Sequence, residues 1–282
     1  MIRFPNAKIN LGLNIVRKRE DGYHDLETVF HPLAIHDALE ILPAVQSADE
    51  AGDVEVHLSG LSVDGSMEDN ICVRAWRLLK RDHPSLPPIR LFLHKAIPMG
   101  AGLGGGSSDG AFALAMIVDM FSLPVDTAGL AAYALRLGSD CPFFLLNRPA
   151  YGSGQGERLE PISLDLSAFR FLLVHPGIHV STAQAFAGVS PAVPPVEVRE
   201  VVSRPVETWK DLLVNDFEKT VFAAHPEIAR IKESLYDAGA VYASMSGSGS
   251  SVFGIFQKGV EPSIPVPPGS FVRWVDASPT IR

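Results

Sequence analysis

A run of glycines between Pro98 and Ser108 constrains this chain more than any other feature of its sequence. The segment reads Pro-Met-Gly-Ala-Gly-Leu-Gly-Gly-Gly-Ser-Ser, with five glycines between Gly100 and Gly106. Glycine adds no side chain to a core and loses more conformational entropy on folding than other residues do. So dense a run therefore predicts a backbone that another group must approach closely.

The segments on either side of the glycines indicate what approaches them. Residues 90–97 have the pattern of a strand, and residues 111–118 are apolar enough for a buried helix. Ser107, Ser108 and Asp109 offer side chains that could cap the start of this helix. A glycine loop that leads into a helix N-terminus presents free N–H groups and the positive end of the helix dipole to an anion. We therefore predict a phosphate site here.

Two common classes of phosphate loop fit the sequence poorly. No lysine follows the glycines, as a Walker A loop requires. The dinucleotide pattern matches formally at Gly100, Gly102 and Gly105, and Asp126 lies about twenty residues further on, as that pattern requires. A formal match is nearly guaranteed in so glycine-rich a run, however, and Asp126 lies in a loop-like segment. Neither a P-loop nor a dinucleotide fold is favoured.

Composition limits the class of protein. The 282 residues are 46% hydrophobic and 20% charged, an ordinary balance for a soluble globular chain. The net charge of −8 argues against a nucleic-acid partner, whose binding surface would be basic. Two isolated cysteines indicate neither a disulfide framework nor a zinc site. We find no signal peptide and no membrane-spanning run, and expect a cytoplasmic protein.

The pattern along the chain predicts an α+β fold with two lobes. We expect helices over residues 70–81, 111–118, 127–137, 181–188 and 225–238, and strands over residues 7–16, 28–42 with a break at Pro32, 53–58, 90–97, 141–146, 170–175, 241–245 and 271–275. Strands and helices do not alternate strictly, which favours α+β over α/β. The turn-rich residues 148–168 suggest the boundary between the lobes.

Two charged residues are candidates for phosphoryl-transfer chemistry. Asp140 lies in a tight link after a predicted helix, and Lys8 lies within the first predicted strand among apolar neighbours. Each has an ordinary alternative, because Asp140 could be a turn residue and Lys8 could point to solvent. A carboxylate and an ammonium near a phosphate loop could serve as a base and its electrostatic partner.

Three segments in this order resemble the signature motifs of the GHMP kinases. They are Asn6–Leu11, Pro98–Ser108 and Ser246–Ser250. The resemblance implies a ribosomal-S5-domain-2-like, ATP-binding N-terminal lobe over residues 1–155 and a ferredoxin-like C-terminal lobe over residues 156–282. Further segments are similar to the branch that phosphorylates the 2-hydroxyl of a cytidine-diphosphate-linked methylerythritol in the non-mevalonate isoprenoid pathway: residues 19–26, 138–144, 152–157 and 176–182.

This resemblance also implies roles for individual residues. Lys8 and Asp140 would be catalytic, with Asp140 as the base. The substrate would contact Asn10, Tyr23, His24, Thr182 and Phe186, with the cytosine between the aromatic side chains. ATP would contact Asn70, Lys95, Pro98, Met99, Gly100, Ala101, Gly102, Leu103, Gly104, Gly105, Gly106, Ser107 and Ser108. ATP and Mg²⁺ would be the cofactors, but the sequence identifies no metal ligand.

The sequence leaves alternatives open. Tyr23 and His24 could form only an exposed turn, and Phe186 could belong to the core. The chain could be another small-molecule kinase of the superfamily, acting on homoserine or a mevalonate derivative, or a nucleotide-binding module without catalysis. We expect a small-molecule substrate, neither nucleic acid nor membrane as a partner, and a monomer or homodimer.

Overall fold

A computed structural model describes residues 1–44, 53–63 and 65–276 of the chain. Its helices and strands form two units that are interleaved along the sequence. The first unit contains residues 1–7, 35–99 and 105–146, and the second contains residues 8–34, 100–104 and those from 147 onward. The predicted domain boundary between residues 155 and 156 stays a prediction.

The strands and helices of the described residues are as follows. The strands are β1 Ile2–Arg3, β2 Asn6–Lys18, β3 His24–His36, β4 Ala38–Pro43, β5 Val54–Gly60, β6 Ile89–Lys95, β7 Ala150–Ser153, β8 Arg158–Pro161, β9 Phe169–His175, β10 Tyr242–Met245, β11 Val252–Gln257 and β12 Phe271–Asp276. The helices are α1 Ile71–Asp82, α2 Gly105–Met120, α3 Thr127–Leu137, α4 Cys141–Leu146, α5 Thr182–Ala187, α6 Val198–Val202, α7 Phe217–Ala224 and α8 Pro226–Asp237. This confirms the predicted α+β class.

The first unit combines one sheet with helices α1 to α4. Its strand order is β1-β4-β6-β5, with β5 and β6 parallel and the other pairs antiparallel. Helix α2 packs against α1, α3, α4 and β4. Ala111, Leu114, Ile117 and Val118 are among its buried residues. A helix that is apolar on most sides must be enclosed by neighbours, and α2 is therefore the central helix of this unit.

The second unit contains two four-stranded sheets, with orders β2-β3-β7-β8 and β10-β11-β9-β12. Strands β9, β10, β11 and β12 pair antiparallel throughout. A hydrophobic core joins Leu13 and Ile15 of β2 to apolar residues of β9, β11, α5, α7 and α8. This core fixes one end of β2, the strand that also carries Lys8.

One predicted strand is wrong, because residues 141–146 form helix α4. The run is short and almost wholly apolar, so it has no periodicity that separates a buried strand from a buried helix. The residues at the N-terminus of this run favour a helix over a strand. Pro142 lies in the first helical turn, where its missing N–H costs nothing, and the Cys141 N–H donates to the Gly138 carbonyl at 3.1 Å.

The predicted break at Pro32 and the predicted caps of α2 are also wrong. Strand β3 runs through Pro32, and the chain bends at Asp37, whose carboxylate accepts N–H groups from Ala96 and Ile97. Helix α2 begins at Gly105, two residues before Ser107, so the serines and Asp109 lie within the helix instead of capping it.

Among the residues that the structure describes, none of the helices combines the length and the apolarity that crossing a membrane would need.

Candidate active site

The glycine loop has a backbone suited to binding an anion. Gly100, Gly102 and Gly104 have φ values of +60°, +78° and +70°, whereas Ala101 and Leu103 between them do not have positive φ. Where left-handed residues alternate with right-handed ones, successive N–H groups turn toward one side, as in the concave nests that bind anions. The chain then enters α2, whose first N–H groups lack partners within the helix. Loop and helix start thus offer the donors that a phosphate chain needs.

The loop residues 100–104 are held in place within the second unit by the third motif. The Ser246 hydroxyl donates to the Gly102 carbonyl at 2.8 Å, and the Ser251 N–H donates to the Ala101 carbonyl at 3.1 Å. On β2, the Lys8 N–H donates to the Leu103 carbonyl at 2.9 Å. Ser246 of the third motif, Ser251 directly after it, and Lys8 therefore hold the glycine loop by direct hydrogen bonds.

Lys8 lies at the same loop. Its side chain is buried, with 4% of the residue exposed, and its ammonium donates to Asn10 Oδ1 at 2.6 Å. Asn10 in turn donates from its amide nitrogen to Thr28 Oγ1 at 2.9 Å. The ammonium also lies 5.3 Å from the centre of the Phe30 ring, within range of a cation–π contact. These contacts fix the orientation of Lys8 and exclude a solvent-facing lysine.

Asp140 lies beside the first turn of α2, within the first unit. It is the residue directly before α4, and it is half-buried. The Ser107 hydroxyl makes a hydrogen bond with the Cys141 thiol. A Cβ at Gly138 would lie 4.0 Å from Ser107 Oγ, so the turn that carries Asp140 packs against the helix start. The backbone turn that carries Asp140 therefore packs next to the first turn of α2.

Other residues predicted to contact ATP lie at the start of α1, directly before the glycine loop, and in the first turn of α2. Asn70 caps α1, with its Oδ1 accepting the Cys72 N–H at 2.9 Å. Pro98 is buried and Met99 is 39% exposed. Gly106 lies in the first turn of α2, where the Met99 methyl would be 3.8 Å from an added Cβ. Their contacts with a nucleotide stay predictions.

Lys95 occupies a different environment from the one expected of a nucleotide ligand. It is 1% exposed and pairs with the carboxylates of Asp37 and Asp109. Burial alone would lower its pKa, but the attraction of Asp109 and Asp37 outweighs burial and raises that pKa. Its predicted contact with ATP stays a prediction. Sequence reasoning missed this cluster, since only the fold brings residues 37, 95 and 109 together.

The predicted acceptor-binding residues fall into two groups within the second unit. His24 stacks on Phe186, with ring centroids 4.7 Å apart and planes inclined by 20°, and the edge of Phe186 meets Phe217. Tyr23 is 60% exposed, which leaves its ring accessible. Thr182 Oγ1 lies 3.3 Å from Ser248 Oγ of the third motif. An aromatic surface and a hydroxyl pair are therefore both available to a ligand.

A charge network that the sequence did not reveal supports Tyr23 and His24. Arg19 binds the carboxylates of Asp21 and Asp25, and Asp21 accepts the Tyr23 N–H at 3.1 Å. The hydrogen bond from Arg19 lowers the pKa of Asp21, and that from Arg17 lowers the pKa of Asp25. Both carboxylates therefore stay ionised at neutral pH and hold the turn that presents Tyr23.

The described residues contain no group of three or more His, Cys, Asp or Glu side chains that could hold a metal ion. Mg²⁺ needs no such group when it enters with a nucleotide, since it then keeps several waters and binds through phosphate oxygens and one or two protein ligands. The residues present are consistent with that manner of binding.

Comparisons with known proteins cover nearly the whole chain. The model of the GHMP kinases N terminal domain matches residues 70–148, and that of the GHMP kinases C terminal domain matches residues 198–263. A 4-diphosphocytidyl-2-C-methyl-D-erythritol kinase of Bacteroides thetaiotaomicron is 50% identical over 257 residues, which are 91% of this chain and 92% of the relative.

Solved structures agree with these sequence matches. A crystal structure of 4-(cytidine 5'-diphospho)-2C-methyl-D-erythritol kinase superposes with a TM-score of 0.78 and 29% identity, over 99% of this chain and 100% of that one. The mevalonate kinase of Methanococcus jannaschii gives a TM-score of 0.68 at 13% identity, over 99% and 98% of the two chains. The second match shows a shared fold alone.

Proposed function

Because the chain belongs to the GHMP kinases, and among them to the family of 4-diphosphocytidyl-2-C-methyl-D-erythritol kinases, we propose that it transfers the γ-phosphoryl group of ATP to the 2-hydroxyl of 4-diphosphocytidyl-2-C-methyl-D-erythritol. The observation that carries the proposal is the packing of the Asp140 turn against the first turn of α2. That contact supports the proposal because it joins the turn that carries Asp140 to a helix start whose N–H groups suit a phosphate.

The glycine loop and α2 bind the phosphates of ATP in this scheme. The nest formed by Gly100, Gly102 and Gly104 supplies backbone N–H groups, and the helix start adds the positive end of its dipole. Phosphoryl transfer needs little covalent chemistry from the protein, so positioning and charge stabilisation provide most of the catalysis. The hydrogen bonds from Ser246 and Ser251 hold these donors in place before ATP arrives.

Asp140 accepts the proton of the acceptor hydroxyl. The acceptor is a tertiary alcohol, which is hindered and weakly acidic, so a fixed base and correct alignment matter more than they would for a primary alcohol. Lys8 supplies a fixed positive charge that stabilises negative charge as the oxygen attacks. Its hydrogen bond to Asn10 holds that charge in one orientation.

When bound together with ATP, Mg²⁺ would neutralise part of the negative charge on the phosphates. The protein's own contribution to the phosphates is the set of backbone N–H donors at the glycine loop and the start of α2. No protein ligand is assigned.

The cytosine of the acceptor is bound by Tyr23, His24 and Phe186. An exposed aromatic ring offers a stacking face to any base, and imidazole can read a hydrogen-bonding edge. Asn10 and Thr182 contact the sugar-phosphate portion in this assignment. The network of Arg19, Asp21 and Asp25 supports it, because a rigid turn lowers the entropy lost on binding.

Replacing Tyr23 with alanine should raise the KM for the cytidine-linked acceptor by about 10- to 100-fold, since base–aromatic stacking is worth about 1–3 kcal/mol. The kcat at saturating acceptor should change little, because in the acceptor the cytosine is separated from the reacting hydroxyl by the ribose and the diphosphate. Phe4→Ala is a matched control, since Phe4 is an aromatic residue with the same 60% exposure. Equal effects of the two substitutions on KM would contradict a role for Tyr23 in base recognition.

The acceptor is tested by ADP release from Mg-ATP with four candidates: 4-diphosphocytidyl-2-C-methyl-D-erythritol, mevalonate, phosphomevalonate and homoserine. Turnover confined to the first supports the proposal. Turnover with another acceptor would make the chain a kinase of a different specificity, and absence of turnover with ATP still bound would favour a binding module.

A further inference from the structure

Three ionisable side chains lie buried together beneath the start of α2, and the catalytic steps above use none of them. They are Lys95 at the end of β6, Asp37 between β3 and β4, and Asp109 on α2, and all three belong to the first unit. Their side chains are 0%, 0% and 2% exposed. Burial of three such groups is costly and needs a compensating role.

The contacts of this cluster reach both ends of the phosphate loop. The Lys95 ammonium donates to Asp109 Oδ2 at 2.6 Å and also to Asp37 Oδ2. The other oxygen of Asp37 accepts the N–H groups of Ala96 at 2.6 Å and Ile97 at 2.9 Å, directly before Pro98. The cluster therefore ties the chain that enters the loop to the helix that leaves it.

The charges of the cluster do not balance. One ammonium faces two carboxylates, so full ionisation leaves a net charge of −1 among side chains that are almost completely buried. Asp109 Oδ1 is buried and has no hydrogen-bond partner among the described residues. A proton on Asp109 would neutralise the excess charge and relieve the repulsion between Asp109 and Asp37, since both carboxylates contact the same ammonium of Lys95.

The two cysteine thiols near the cluster do not change its charge. The thiol of Cys72, on α1, faces Asp109, Lys95 and Asp37, and Cys141 of α4 interacts with Cys72. Burial raises the pKa of Cys72 well above its ordinary value and that of Cys141 to about 12. Both thiols therefore stay neutral near pH 7.

The cluster is close enough to the helix N-terminus for its net charge to matter there. A Cβ at Gly105, the first residue of α2, would lie 3.4 Å from Lys95 Nζ. Electrostatic interactions are strong in such a desolvated place. A net negative cluster would oppose a triphosphate at the helix start, whereas a neutral cluster would not.

We propose that Lys95, Asp37 and Asp109 form a positioning cluster for the first turn of α2, and that Asp109 carries a proton whenever the triphosphate is bound. This inference rests on the proposed function in taking the anion to be ATP. Burial, against the opposing effect of Lys95, raises the pKa of Asp109 to about 7, which agrees with the charge count.

Proton binding to Asp109 makes the affinity for ATP depend on pH. If ATP binds the protonated cluster, its affinity is greatest below about pH 7 and falls as Asp109 loses its proton at higher pH. The dissociation constant of Mg-ATP, measured calorimetrically without acceptor, should rise about 25-fold between about pH 6.5 and 8.5, because only the protonated fraction of Asp109 would bind. In Asp109→Asn, which keeps an oxygen for Lys95 but cannot ionise, the rise should be lost.

The pH profiles of Asp109→Asn and of Asp119→Asn are each compared with the wild-type profile. Titration of the nucleotide itself is common to all variants, so the difference between their profiles belongs to the protein. Asp119→Asn is the matched control, because Asp119 is an exposed aspartate on the same helix, and it should keep the wild-type profile.

A second measurement does not depend on nucleotide. A carboxyl whose pKa is raised in the folded state stabilises the protein at low pH, and that contribution is lost as the pH rises from about 4 to about 7. The thermal midpoint of Asp109→Asn relative to wild type should therefore rise between about pH 5 and 7.5. A packing role alone would give a constant difference.

The outcomes are distinct. Loss of both pH dependences in Asp109→Asn supports the proposal, and their retention overturns it. If Mg-ATP binds neither protein, the proposed function fails, and the thermal midpoints still decide whether Asp109 carries the proton.

Discussion

Replacing Asp140 with asparagine is expected to lower kcat by about a thousandfold, the scale of a lost general base. Asparagine keeps the size of the side chain but cannot accept the proton of the acceptor hydroxyl. The fold should persist, because asparagine has nearly the same shape and the backbone hydrogen bonds of this turn, such as that from the Cys141 N–H to the Gly138 carbonyl, are unchanged. Steady-state kinetics at saturating substrates gives the loss directly.

The binding of ATP separates a catalytic role from a structural one. Asp140→Asn should bind Mg-ATP within a fewfold of wild type, since the phosphates are held by the loop and the helix start. Asp119→Asn, on the exposed side of α2, should leave both kcat and binding unchanged. Parallel loss of turnover, ATP binding and thermal stability in Asp140→Asn would identify a structural aspartate instead.

Replacing Gly102 with alanine should damage the glycine loop most severely. The residue has a φ of +78°, and an added Cβ would lie 2.0 Å from the carbonyl oxygen of Ser246 and 3.2 Å from that of Gly249. The left-handed conformation costs alanine about 1–2 kcal/mol, and the overlap forces the third motif away from the loop, which costs about 1–3 kcal/mol more. We expect the thermal midpoint to fall by at least about 4 °C.

Gly106→Ala is the matched control for stability. Gly106 does not have positive φ, and the nearest atom to an added Cβ is 3.8 Å away. Alanine within a helix is favoured over glycine by about 0.5–1 kcal/mol, so the thermal midpoint should stay unchanged or rise. If both variants lost stability equally, the close approach of Ser246 to Gly102 would not be the cause.

Local signals in the sequence predicted much of the fold. The predicted helices over residues 127–137 and 225–238 match α3 and α8, because Gly138 directly follows the first and Pro226 begins the second. The glycine loop was identified in the same way, because its glycines exclude a packing role. Such features depend on backbone conformation, which nearby residues largely determine.

Features that depend on tertiary contacts could not be predicted in this way. The six apolar residues 141–146 carry no periodicity of their own, and the packing of α4 against α2 and α3 becomes visible only in the folded chain. Asp109 was taken for a helix cap, although its carboxylate pairs with Lys95 inside the first unit. The support of Tyr23 by Asp21 is likewise visible only once the turn is folded.

The position of the transferred phosphate tests the central claim most directly. The product formed from Mg-ATP and 4-diphosphocytidyl-2-C-methyl-D-erythritol should show one new phosphomonoester signal in the ³¹P NMR spectrum. That signal should have no three-bond coupling to hydrogen, because the carbon of a tertiary alcohol carries none. A signal split by neighbouring hydrogens would place the phosphate on a primary or secondary hydroxyl, and no new signal would mean no transfer. Either result would contradict the proposed reaction.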